Sequence, residues 1–285
     1  MAVTKEPIKR LPRNFHKTFV PERQYISALL KYVAEGKWGS DQEISAATGI
    51  PTGVSSGKVP AIRDYCRGMA LIRPPKTNKS KVKTMELTPF GRAILLEDPY
   101  LKERVTQWIA HFNICRHNGG ADVWYNIFCK GFAILGMNFS KAELEKYLAA
   151  AYGTGLSDVI GPLYGMYSEE ASFATCAALD IGSNGALLIR KPAPILEEIA
   201  PAYGAWILQM IRDNFPRSGQ VTVAQLNEVA GLQSIPGWGV TDLQRALELI
   251  ERKGALHVDR HMNPWIIHPA ADVDEQWGHI YSDLI

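Results

Sequence analysis

Cysteine is scarce in this sequence, at four positions in 285 residues: Cys66, Cys115, Cys129 and Cys176. No two of them form a CxxC pair. That excludes a zinc ribbon, a dithiol redox site and a disulfide framework. Reduced thiols and a cytoplasmic location are the simplest expectation. No run of about 18 apolar residues occurs, so no membrane span is expected. The N-terminus is basic, but it lacks the apolar stretch of a secretory signal. A Walker loop, a GxGxxG opening a helix, HExxH and GxSxG are all missing, which turns the reading away from NTPases, dehydrogenases, zincins and serine hydrolases. The chain is long enough to bury a sizeable core and to form two or three small domains.

What is present is an uneven distribution of charge. The whole chain carries a formal +2. Between Lys58 and Arg92 there are nine bases (Lys58, Arg63, Arg67, Arg73, Lys76, Lys79, Lys81, Lys83 and Arg92) against Asp64 and Glu86. That segment is +7, so the remainder is −5. A polyanionic partner is drawn to this region and not to the chain in general.

The local signals in and before the segment describe a helix, a turn, a second helix and a hairpin. Ser40 and Glu43 have capping-box spacing. Gly49, Pro51 and Gly53 end that helix. The next begins near Ser56–Pro60, with Val59, Ile62, Cys66 and Met69 on one face and Arg63 and Arg67 on another. Leu71–Ile72 and Thr84–Leu87 read as the strands of a lysine-rich wing, closed by Thr88-Pro89-Phe90-Gly91. The preceding helix carries Ile26, Leu29, Leu30 and Val33 on one face and stops at Gly36. The expected fold is mainly α with short β-hairpin wings: an N-terminal winged helix-turn-helix over 1–98, a helical middle over 99–194 and a C-terminal winged-helix-like unit over 195–285. In the middle, a helix over Lys102–Phe112 buries Val105, Trp108, Ile109 and Phe112. Ser140 and Glu143 form another capping box, the glycines from 153 to 165 mark a loop, and Ser168–Ala178 is a further candidate helix. In the last unit Thr241 caps a helix. From Ile195 to Ile250 three arginines face six acids, so this unit suits packing or partner contact better than DNA.

Candidate DNA-binding residues are therefore Lys58, Arg63, Arg67, Arg73, Lys76, Lys79, Lys81 and Lys83. Basic residues 5–13 form either a loose arm or an early turn. Phosphodiester cleavage with a divalent cation needs only one to three carboxylates together with substrate oxygens and water. Glu169, Glu170 and Asp180 are candidate metal ligands; the other reading of them is helix caps or solvated acids. His257, Asp259 and His261 alternate, as metal ligands on one side of a strand or as the wet face of a hairpin.

The stretch FHKTFVPER (Phe15–Arg23), followed by SDQEISAATGIPTGVSSGKVPAIRDYCRGMALI, resembles a bacterial family encoded in DNA phosphorothioation clusters: the nickases of the Ssp single-strand sulfur-modification system. The resemblance implies a magnesium-dependent DNA nickase acting in modification and phage defence. It also implies partners: DNA, a cysteine desulfurase, an ATP-pyrophosphatase and an ATPase. The opening motif of that family falls on His16, Thr18, Glu22 and Arg23, which either serve chemistry or hold the first helix. The candidate catalytic residues are His16, Glu22 and Asp180. The alternative is a regulator or adaptor that binds DNA without cutting it.

Overall fold

The computed structural model describes residues 9–53, 57–77, 83–153 and 156–284. It opens with α1 (Arg23–Ala34), α2 (Asp41–Thr48) and α3 (Lys58–Gly68). The apolar face expected for α1 is buried through Ile26, Leu29, Leu30 and Val33. Both halves of the Ser40–Glu43 capping box form: the Glu43 amide donates to Ser40 Oγ, and the Ser40 amide donates to Glu43 Oε2 at 2.7 Å. Gly49, at φ +72°, takes the left-handed turn that ends α2. In α3 the face of Val59, Ile62 and Cys66 is buried, with Met69 just beyond it.

A hairpin follows, of β1 (Lys76–Thr77) and β2 (Lys83–Thr84), antiparallel with Lys76 opposite Thr84. Of the expected strands at 71–72 and 84–87, Thr84 lies in β2, and Ile72 and Leu87 meet in an isolated bridge at the foot of the hairpin. Pro74 and Pro75 interrupt the ladder because proline has no amide hydrogen to donate. The hairpin closes into α4 (Pro89–Glu97). Thr88 caps that helix, accepting from the Gly91 amide at 2.9 Å and donating to the Ala70 carbonyl.

Next comes α5 (Arg104–Ile114), where every residue from Val105 to Ile114 is buried. One apolar face was expected; the helix is instead covered on all sides. Packing partners arrive from far along the chain: Phe128 and Tyr167 on His111, Trp206 on Phe112 at 4.6 Å. Thr106, Gln107 and His111 are paired accordingly, while the buried Asn113 Nδ2 finds no partner among the described residues. Thr106 Oγ1 meets the Tyr281 hydroxyl at 2.6 Å, and Gln107 donates to the Leu101 carbonyl while accepting from the Cys176 amide. A buried polar group left unpaired costs on the order of 1–3 kcal/mol, so these partners make an all-round buried helix tolerable.

The chain continues through α6 (Asp122–Tyr125), a π-helical turn at Asn126–Lys130, and α7 (Phe132–Leu135). Strands β3 (Asn138–Ser140), β4 (Leu179–Ile181) and β5 (Leu187–Arg190) form an antiparallel sheet in the order β3-β5-β4. Between them lie α8 (Lys141–Tyr152), opened by the Ser140–Glu143 capping box, and α9 (Ser157–Ser168). The segment read as a glycine-marked loop is α9, and residues 169–176 are turns and not a helix. Two glycines explain the difference. Gly161 precedes Pro162 and has no Cβ to clash with the proline ring, so the helix passes through. A Cβ on Gly165 would lie 2.5 Å from Val20 Cγ1, so glycine lets α9 pack against the N-terminal segment. Val159, Leu163 and Met166 then bury one face.

Residues 195–284 begin with a 3-10 turn at Glu197–Ile199 and α10 (Ala200–Asn214). They go on to β6 (Val221–Thr222), α11 (Val223–Ala230), α12 (Val240–Arg252), β7 (Leu256–Asp259), β8 (Ile266–Pro269) and α13 (Val273–Gly278), with sheet order β6-β8-β7. The cap of α12 is Gly239, whose amide donates to Asp242 at 3.1 Å; Thr241 already lies inside the helix. One continuous apolar core runs from Leu11 to Tyr281. Phe90 of α4 meets Trp277 of α13 at 4.9 Å, which ties the two ends of the chain together.

Candidate nucleic-acid interface

The basic face is built on α3, the α1–α2 turn and the foot of the hairpin. Four of its bases have carboxylate partners. Lys58 Nζ lies 2.5 Å from Glu22 Oε1, over the Tyr25 ring at 4.7 Å and near Phe19 at 5.4 Å. Its side chain is only 16% exposed, so it fastens α3 to the start of α1 and is poorly placed to reach a phosphate. Arg63 Nη1 donates to Asp41 Oδ1 at 3.0 Å, and Arg67 Nη1 to Asp64 Oδ1 at 2.8 Å. Arg73 is 3.8 Å from Glu86, with both side chains about half exposed. Lys76 and Lys83 stand in the hairpin strands. Lys79 and Lys81 lie outside the described residues.

These pairings change the electrostatic reading. Glu22 and Asp41 come from outside the segment whose charge was counted, so nine bases face four carboxylates. The excess falls from +7 to +5; of the remaining five bases, Lys76, Lys79, Lys81 and Lys83 fall within residues 76–84 of the sequence and Arg92 in α4. By sequence the hairpin segment is thus the most basic part of the unit. Beside it an open polar groove of about 570 Å³ is walled by Trp38 and Asp41, by Arg63, Asp64 and Arg67, and by Pro75. At the start of α3, Lys17 packs over Gly57, where a Cβ would lie 2.6 Å from Lys17 Cδ. Lys17 and the following Thr18 both have positive φ, at 46° and 71°, a conformation that costs on the order of 1 kcal/mol for each such residue.

The proposed catalytic and metal residues are not gathered at one point. His16 is fully buried against Phe15 and Trp124, and its Nδ1 accepts from the Thr18 amide at 3.1 Å. Burial lowers its pKa to about 4, against the opposing pull of the Asp158 charge. Glu22 is held by Lys58. Arg23 donates to the carbonyls of Tyr100 and Glu170, so the end of the opening motif clamps α1 to the turn after α9. Glu169 and Glu170 are exposed on that turn, while Asp180 stands on β4 and pairs with Lys191 at 3.1 Å. Among the described residues no three His, Cys, Asp or Glu side chains converge as a metal-ligand set. That includes His257, Asp259 and His261. His257 pairs with Glu251 at 2.6 Å, and Asp259 accepts from the His261 amide. The described residues therefore do not form a preformed magnesium cage.

Two arrangements were invisible in the sequence. Arg10 donates to Asp122 at 2.8 Å and lies over Tyr125 at 4.4 Å, while Leu11 bridges to Ala121. Residues 9–14 are thus fixed and do not form a loose arm. Arg190 is buried over Phe128, Phe132 and Phe139, donating to the carbonyls of Gly136 and Ile127. Burial pushes its pKa down to about 10. Both depend on partners more than fifty residues away, which no local pattern reveals.

A family model described as "Protein of unknown function (DUF4007)" matches residues 14–158. No curated protein matches the sequence. Two solved structures share the fold. One is a crystal structure of SspB with magnesium bound, at TM-score 0.71 and 16% identity, covering 95% of this chain and 88% of that one. The other is a crystal structure of SspB at TM-score 0.72 and 15% identity, with the same coverage.

Proposed function

The chain belongs to the DUF4007 family, and from that premise we propose that it is a DNA-binding protein that nicks one strand in support of phosphorothioate modification and phage defence. The observation that carries this reading is the placement of the charge excess on the β1–β2 hairpin, beside a helix whose own charges are balanced. We read this unit as a winged helix, with the hairpin as its wing, and the chain as three domains bounded near residues 98 and 194. The SspB-like fold supports an Ssp-type setting, with DNA, a cysteine desulfurase, an ATP-pyrophosphatase and an ATPase as partners.

Cutting requires groups that activate water and take up charge on the phosphate. His16 is a poor general base, because it is buried and its basicity is reduced. Glu22, Glu169, Glu170 and Asp180 do not converge on one point, Glu22 and Asp180 are paired with lysines, and no step is assigned to them. The lack of converging carboxylates among the described residues favours a second reading, a non-cutting adaptor of the same complex. Supercoiled plasmid incubated with pure protein, with magnesium and then with chelator, separates the two. Open-circular product that requires the cation supports nicking. Plasmid retarded on the gel but intact under every cation establishes the adaptor.

A further inference from the structure

The groove beside the hairpin holds two arginines and two aspartates in fixed pairs. Asp41 opens α2 and takes Arg63 of α3; Asp64 and Arg67 pair within α3. All four side chains are between 22 and 34% exposed, so they are neither buried structural ion pairs nor free surface charges. A phosphate approaching either guanidinium also meets a carboxylate within 3.0 Å of it, and the local charge is zero. This is poor chemistry for gripping a polyanion.

It is good chemistry for a base edge, which is neutral and presents acceptors and a donor together. In the major groove a G·C pair offers guanine O6 and N7 to an arginine and the cytosine N4 amino group to a carboxylate. Each carboxylate engages Nη1 of its arginine, and the Nε of Arg67 is buried, so the base contact of Arg67 falls to its Nη hydrogens. The carboxylate also holds the guanidinium in place, so less side-chain freedom is lost on binding. Arg63 and Arg67 are one helical turn apart, about 6 Å along the axis, close to two base-pair steps of about 3.4 Å each.

We infer that the Arg63–Asp41 and Arg67–Asp64 pairs read two G·C base pairs in the DNA major groove. This rests on the DNA-binding reading above and assigns sequence preference to the groove.

The test selects duplexes from a random pool with wild-type protein. Binding of the selected duplex is then compared with A·T replacements over a salt series. Wild type is expected to prefer each of two G·C pairs by about 5- to 150-fold. The Arg63→Lys and Arg67→Lys variants keep the charge and lose the fork. Each is expected to abolish preference at one pair while the salt slope stays unchanged. Arg63→Ala and Arg67→Ala, checked for folding by circular dichroism, should lose the same preference. If the lysine variants behave as wild type, and each alanine variant lowers the slope by about 0.9, the arginines grip phosphates and the inference is overturned. Wild type that binds duplex without preferring any base pair overturns the inference alone. Wild type that binds no duplex at all overturns the DNA-binding reading with it.

Discussion

Replacing Gly91 by alanine tests how the hairpin is fastened to the helices. The new Cβ would sit 2.0 Å from the Leu71 carbonyl oxygen and 2.9 Å from its carbonyl carbon. Non-bonded atoms of this kind favour a separation of roughly 3.5 Å, so the backbone at residue 71 must retreat by more than about 1 Å. That carbonyl accepts from the Thr88 amide at 3.0 Å, and the Thr88 hydroxyl donates to the neighbouring Ala70 carbonyl. Overpacking of this order costs about 1–3 kcal/mol. Each broken hydrogen bond adds about 1 kcal/mol. Against this, alanine is the better helix former by about 1 kcal/mol near the start of α4. The steric terms win, and the expected loss of stability is about 3 kcal/mol. Gly36 is the control. It has φ +70° and open space around its Cβ position, so Gly36→Ala carries only the left-handed backbone penalty of about 1 kcal/mol. Urea unfolding followed by far-ultraviolet circular dichroism compares the two. If Gly91→Ala is as stable as wild type, or costs no more than Gly36→Ala, the close approach is not what requires glycine.

Two further outcomes are expected. His16 has its pKa lowered from 6.5 to about 4 by burial, so the unfolded chain binds the proton first. Its contribution is complete above about pH 6.5 and is lost as pH falls toward 4, amounting to roughly 3 kcal/mol. His111, lowered to about 3 by the same cause, acts in the same direction and extends the window downward. Melting temperature measured against pH should fall more gently for His16→Gln than for wild type; parallel curves would refute the assignment. For the hairpin, changing Lys76, Lys79, Lys81 and Lys83 together to alanine should weaken duplex binding for every sequence. The salt dependence should flatten by about 0.9 for each phosphate no longer neutralised. Affinity and slope equal to wild type would remove the hairpin from the interface.

The features legible in the sequence were those whose cause is local. The capping boxes at Ser40 and Ser140 act over three residues, the left-handed stop at Gly49 over one, and the buried face of α1 repeats every three or four. The fold-level reading of a mainly helical chain followed from them. The glycines of α9 carry no such local signal, since loop-forming and close-packing glycines look alike until the partner, here Val20, is known. The expectation of a single apolar face on α5 failed because its neighbours come from the whole chain.

The candidate site divides along the same line. Composition by itself determined that a basic segment exists between Lys58 and Arg92 and where its lysines fall. Only the tertiary structure decided which carboxylates pair with Lys58, Arg63, Arg67 and Arg73. Glu22 reaches Lys58 across 36 positions, Asp41 reaches Arg63 across 22, and Arg23 is anchored by a carbonyl 147 positions away. Charge is additive along a sequence, but Coulomb attraction and hydrogen bonding act over a few ångströms in space. A count of residues therefore locates a basic region, and folding pairs the charges of α3 with Glu22, Asp41 and Asp64.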